Sequence, residues 1–120
     1  MYRITVTTAF RAAHQLSLSG KIEPQHSHDW QVEAVVCGKK LDDNGLLFDF
    51  NELKKILDDI VGQFKDRKLE DCPCFKGINA SAENVAGYIY ESIKPLLPKR
   101  TKLLYVEVTE TPGCKARYSK

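Results

Sequence analysis

Polar and apolar residues alternate from the start of the chain. Tyr2, Ile4, Val6, Thr8 and Phe10 fall on one side of an extended segment, with Arg3, Thr5 and Thr7 on the other. That period of two predicts a strand with one buried face. Trp30 to Gly38, rich in valine, predicts a second strand. Asp42-Asp43-Asn44-Gly45 is a turn signal, and the apolar Leu46-Leu47-Phe48 after it predicts the close of a hairpin. The period then changes. Asp49 predicts a helix N-cap, with Glu52 three residues on as in a capping box. Leu53, Ile56, Leu57, Ile60 and Phe64 recur at helical spacing, and Gly62 weakens the helix end. Residues 65–80 read as a charged loop bearing Pro and Gly. Ser81 predicts the cap of a second helix with the stripe Val85, Ala86, Ile89, Ile93 and Leu96, closed by Pro95 and Pro98. Leu103 to Glu110 is the third clear strand.

This order predicts one α+β domain over residues 1–120, with two helices on one face of a mostly antiparallel sheet. A chain of 120 residues holds one core and not two. An amphipathic sheet this small leaves edges exposed, and partner subunits commonly cover such edges. The balance of 18 Lys and Arg against 16 Asp and Glu gives only +2, so no electrostatic case exists for nucleic acid. No apolar run approaches the ~20 residues of a transmembrane helix. Met1 to Val6 lacks the long apolar stretch of a signal peptide, which argues against secretion and makes the cytoplasm the expected location. In that reducing setting Cys37, Cys72, Cys74 and Cys114 read as thiols. Cys72-Pro73-Cys74 is either a metal-binding pair or a tight loop with two incidental thiols.

The chain has three histidines, His14, His26 and His28. In an extended segment the spacing of His26 and His28 puts both on one face. His14 follows the first strand and the His26-x-His28 pair leads into the second. If these strands are neighbours, three imidazoles converge at one sheet end, the donor set of a catalytic zinc site with one open position. The alternative is three histidines scattered over surface loops. Glu110 continues the apolar face of Leu104, Val106 and Val108. A carboxylate there either turns into solvent or is aimed at a ligand; a guanidine-like edge with two parallel N–H donors suits it.

Phe10-Arg11-Ala12-Ala13-His14 resembles the F-x-A-A-H segment of the 6-pyruvoyltetrahydropterin synthase family, which includes 6-carboxytetrahydropterin synthase. His26-Ser27-His28 resembles its H-G-H, and Gly45 to Lys54 its G-hydrophobic-hydrophobic-x-D-F-x-x-L-K. Asn79-Ala80-Ser81-Ala82-Glu83-Asn84 is similar to N-P-T-x-E-N, and Val108-Thr109-Glu110-Thr111 to V-x-E-T. The resemblance implies a tunnelling fold whose subunits assemble into a barrel, typically a hexamer made of two trimers. It implies zinc on His14, His26 and His28, a pterin ring anchored by Glu110, and Ser81 in place of the family's pterin-contacting Thr.

The departures bear on mechanism. The family's Cys before H-G-H is missing: Ser19 to Gln25 holds none. The family's Asp-His dyad after the first helix falls on Lys65 and Asp66, and no fourth histidine exists. Glu23 is the replacement that matters. A branch of the family has Glu where the Cys would be and cleaves the side chain of dihydroneopterin triphosphate to 6-hydroxymethyldihydropterin. As general base, Glu23 could act on a substrate hydroxyl beside zinc; otherwise it is a loop carboxylate, with Asp66 or Arg67 taking the role. The expected activity is that cleavage. The alternatives are 6-carboxy- or 6-pyruvoyl-tetrahydropterin synthesis by other groups, a non-catalytic pterin- or purine-binding module, and a structural oligomer without metal.

Overall fold

The alternation that begins at Tyr2 runs past Phe10 as far as His14. The computed structural model describes residues 1–120. Its strands are β1 Tyr2–His14, β2 Ser17–Leu18, β3 Lys21–Ile22, β4 His26–Gly38, β5 Arg67–Lys68, β6 Lys102–Thr111 and β7 Cys114–Tyr118. Its α-helices are α1 Phe50–Val61 and α2 Ala82–Ile93. The main sheet has the order β5-β1-β4-β6-β7, with one parallel pair, β1 with β5. The long β1 and β4 pair antiparallel from Tyr2 opposite Gly38 to His14 opposite His26. Their register is fixed because a one-residue slip would turn the buried face outward.

That buried face carries Val6, Phe10 and Ala12 of β1, Trp30, Val32, Ala34 and Val36 of β4, and Val106 and Val108 of β6. Both helices pack on it, α1 over β1 and α2 over β6 and β7. Leu53, Leu57 and Val61 are the buried stripe of α1; Val85, Ala86, Ile89, Tyr90 and Ile93 are that of α2. Side chains close both N-termini, Asp49 Oδ1 accepting from Asn51 N–H at 2.7 Å and Ser81 Oγ from Asn84 N–H at 3.1 Å. No helix is long and apolar enough to cross a membrane.

Four expectations need correction. Leu46-Leu47-Phe48 forms no strand. Asp42 Oδ1 accepts from the backbone N–H of both Asn44 and Leu46, which curls the chain away from the sheet, and Leu47 and Phe48 enter the core ahead of α1. On β6 the buried residue is Leu103, not Leu104. Val35 pairs with Tyr105 but Val36 with Leu103, so Leu104 is the extra residue of a bulge and the parity changes there. Leu96 leaves the apolar stripe of α2 and is 56% exposed, because Pro95 tightens that turn to a 3-10 helix. β7 adds a strand beyond Glu110, joined to β6 across Pro112-Gly113, where Gly113 has φ 87°. Pro then Gly at the centre of a tight turn is a type II pattern, whose third position needs a positive φ.

Candidate functional site

Strand parity brings the three histidines together. His14 and His26 are direct cross-strand partners, with ring centroids 4.5 Å apart. His28 lies two residues along β4 on the same face, its ring 4.7 Å from that of His26 and 5.4 Å from that of His14. Trp30, fully buried, forms the floor: its ring meets His14 edge-on at 4.9 Å and stacks on Phe10 at 5.9 Å. Its indole N–H donates to Ala12 O at 3.1 Å, which leaves no donor pointing at the histidines.

Backbone carbonyls set the tautomers. His14 Nδ1 lies 2.9 Å from Ala80 O, and His26 Nδ1 lies 3.0 Å from Pro24 O. A carbonyl only accepts, so each Nδ1 carries the proton and each Nε2 turns a lone pair into the site. The Nε2 atoms of His14 and His28 are buried and lack a hydrogen-bond partner. Burial holds the His28 imidazole below its usual value; Glu110 opposes that, and His26 and His14 reinforce it. Buried nitrogens without partners are rare in folded proteins. Here they converge in the donor set that zinc takes. The residues fit the metal.

Glu110 joins this group. Thr109 pairs with Lys115 and Thr111 with Cys114, so Glu110 is the unpaired residue of a second bulge, a device that re-aims a side chain beside a site. Its Oε1 lies 3.0 Å from His14 Nε2 and its Oε2 4.0 Å from His28 Nε2. One ligand atom from each of His14, His26, His28 and Glu110 lies within 4.8 Å of all the others. Glu110 and Ser81 also line a cleft of about 390 Å³ with Leu16, Glu83 and Lys115, a size within the range of small-molecule sites.

Glu23 reaches the site from a small hairpin. β2 and β3 join through Ser19 and Gly20, both at positive φ (51° and 81°), the twist of a two-residue hairpin turn. The hairpin returns the chain to Leu16, which grips Glu23 twice. Glu23 N–H donates to Leu16 O at 2.9 Å, and Glu23 Oε1 accepts from Leu16 N–H at 3.1 Å. The same oxygen lies 3.8 Å from His26 Nε2. Asp66 and Arg67 do not join it. They border a separate cleft with Arg11, Gln25 and Ser27; Arg11 in β1 and Ser27 in β4 lie on the face opposite Ala12 and His28. Cys72 is buried, and its Sγ donates to Gln63 O at 3.7 Å.

The sequence gives no sign of some supports. Nothing marks Ala80 O and Pro24 O as the groups that orient His14 and His26, because any residue supplies a carbonyl. Asn79 ties the loop before α2 to the first hairpin, its side chain accepting from Ser17 N–H and donating to Ser17 O, both at 2.9 Å. An Asn two residues before a helix cap was the available signal.

A family profile described as 6-pyruvoyl tetrahydropterin synthase matches residues 3–120. The chain is similar to the dihydroneopterin monophosphate aldolase of Pyrococcus furiosus, at 32% identity over 108 residues, covering 90% of this chain and 89% of that protein. It is 34% identical over 68 residues to a putative 6-carboxy-5,6,7,8-tetrahydropterin synthase of Archaeoglobus fulgidus, a match spanning 57% of this chain and 58% of that relative. Among solved structures, the 6-pyruvoyl tetrahydropterin synthase of Caenorhabditis elegans superposes with a TM-score of 0.86 at 24% identity, over 99% of this chain and 95% of that one. The 6-pyruvoyltetrahydropterin synthase of Plasmodium vivax superposes with a TM-score of 0.82 at 20% identity, over 99% and 97%. The fold is the tunnelling fold, and the chain belongs to the 6-pyruvoyl tetrahydropterin synthase family.

Proposed function

We propose that this protein is a zinc-dependent lyase that cleaves the side chain of a dihydroneopterin phosphate, leaving 6-hydroxymethyldihydropterin. The observation that carries the reading is the place of Glu23. The chain has neither the family's cysteine nor its Asp-His dyad, and the Glu23 carboxylate lies 3.8 Å from a nitrogen of the histidine cluster. The similarity to an aldolase over nine-tenths of the chain supports the same reaction.

His14, His26 and His28 would hold the metal. A zinc ion there would supply Lewis-acid stabilisation of negative charge developing on a side-chain hydroxyl. Glu110 and Ser81, on the neighbouring cleft, receive the ring: the carboxylate takes two parallel N–H donors of its amidine edge. Glu23, fixed by Leu16, takes the proton of the C2′ hydroxyl as general base. The C1′–C2′ bond then breaks, C2′ becomes an aldehyde carbon, and the electron pair passes to C1′ in conjugation with the dihydropterin ring. Protonated Glu23 returns the proton to C1′, so the cleavage balances with no added reductant or oxidant. Trp30 and the buried rings above it keep water from one side of the cluster.

The assembly belongs to the same proposal. β1 is paired on its outer edge only at Ala12 and Ala13, and β7 ends the sheet on the other side. The radius of gyration, 15.3 Å, exceeds the about 14 Å expected of a compact chain of this length. Both features fit a subunit of a homo-oligomeric barrel that closes edge to edge. A hexamer and a cytoplasmic location remain the expectation from the family resemblance.

Product analysis tests the reaction. Purified zinc-loaded protein is incubated with dihydroneopterin monophosphate and, separately, the triphosphate, and the pterin and the released fragment are identified by mass. The expected products are 6-hydroxymethyldihydropterin and a phosphorylated glycolaldehyde. A carboxy- or pyruvoyl-tetrahydropterin contradicts the cleavage and favours a synthase, in line with the Archaeoglobus relative. Tight pterin binding without turnover identifies a non-catalytic binder.

A further inference from the structure

Glu110 stands too close to the histidines for a residue that only holds a pterin ring. Its Oε1 is 3.0 Å from His14 Nε2. His14 Nδ1 has given its proton to the contact with Ala80 O, so in the neutral ring the atom facing Oε1 is a lone pair. Two acceptors at that distance repel, and a cation held between them removes the repulsion. His14 Nε2 makes no hydrogen bond in this geometry. The second oxygen repeats the arrangement with His28, whose Nε2 is also buried and unpartnered, at 4.0 Å.

We infer that Glu110 is a fourth metal ligand in the substrate-free protein and leaves the metal when a pterin binds. The spacing suits four ligands. One donor atom from each of the four residues lies within 4.8 Å of all the others, and Oε1 stands 3.0 Å from His14 Nε2, near the roughly 3.3–3.4 Å that separates two atoms bonded at about 2.0–2.1 Å to one tetrahedral ion. The bulge makes the exchange feasible. Glu110 has no backbone partner of its own in the β6–β7 ladder, so its side chain can swing toward the cleft it shares with Ser81 without breaking a strand pair. One carboxylate thus closes the centre at rest, as in a four-ligand structural site, and opens a position when the ring draws it away, as in a catalytic one. This rests on the pterin reading above, in which Glu110 takes the ring's N–H donors.

The test reads the metal, not turnover. Zinc affinity is measured by competition with a chromophoric chelator for the unmodified protein, Glu110→Ala and Glu110→Gln, with circular dichroism confirming the fold of each. Cobalt(II) is then substituted for zinc, and the visible spectrum is recorded with and without neopterin. The expected result is zinc binding at least tenfold weaker in Glu110→Ala, a cobalt spectrum that differs between that variant and the unmodified protein, and a shift of the unmodified spectrum when neopterin is added. Equal zinc affinity and superimposable cobalt spectra overturn the fourth-ligand assignment while leaving the three-histidine centre standing. A cobalt spectrum of the unmodified protein that neopterin does not change overturns the exchange, even if the variants fail to fold. Failure of the unmodified protein to bind either metal overturns this inference and the zinc reading together.

Discussion

His14 is anchored to Ala80: its Nδ1 lies 2.9 Å from that carbonyl, across 66 residues of sequence. The bond ties the end of β1 to the segment that enters α2, so His14 is a structural residue as well as a candidate ligand. His26, its cross-strand partner, has a side chain 37% exposed and bonds only to the nearby Pro24 O.

The two histidines therefore separate metal binding from folding. In metal-free protein, His14→Ala leaves Ala80 O buried without its donor and costs about 1–3 kcal/mol, seen as a melting temperature several degrees lower. His26→Ala, at a part-exposed site, stays within about 0.5 kcal/mol of the parent. Both should lose the zinc, expected in the parent at about one ion per three-histidine site and read by metal analysis. Equal melting temperatures for the two variants, or full zinc content in either, would contradict the placement.

Ring recognition by Glu110 is measured by calorimetry with a pterin that carries no side chain, in zinc-free protein so that coordination does not enter. Glu110→Gln replaces one of two acceptor oxygens with a donor and leaves one ring N–H unpaired. Binding weakens roughly ten- to a hundredfold, at ~1.4 kcal/mol per factor of ten. Unchanged affinity rules out the anchor.

Burial raises the thiols of Cys72 and Cys74 above the ordinary cysteine value. The thiolate is the reactive form, so at a given pH a raised thiol has less of it. Alkylation of both in the folded protein should be at least tenfold slower than in denaturant, and should speed up as pH rises toward the raised values. Folded-state labelling as fast as in denaturant would contradict this packing.

Edge pairing is read by sedimentation. At micromolar concentration the protein should sediment as a closed oligomer of several subunits. A monomer at all concentrations would mean that the open edges of β1 and β7 stay unpaired.

Much of this site was legible because strands alternate strictly. Parity alone carries His26 and His28 to one face and Glu110 to the face of Val106 and Val108, and the pairing of β1 with β4 supplies His14. Parity fails where a residue is inserted, so Leu103 and Leu104 exchange places at their bulge. It also cannot tell that Glu110 sits at a second bulge and is aimed at the histidines. β2, β3 and β5 have two residues each, too few to show a period, so the hairpin that delivers Glu23 is visible only in three dimensions. The orienting carbonyls of Ala80 and Pro24 leave no trace in side-chain chemistry.

Glu23→Gln tests the proposed base most directly. The variant keeps an acceptor for Leu16 N–H and the backbone bond to Leu16 O, so fold, zinc content and pterin affinity should match the parent. The decisive measurement is the rate of fragment release from dihydroneopterin phosphate by this variant beside the parent, each at full zinc loading. The expected result is a loss of about 10²–10⁴-fold in turnover, with a variant lacking all four cysteines close to the parental rate. Parental turnover in Glu23→Gln would contradict the proposed base.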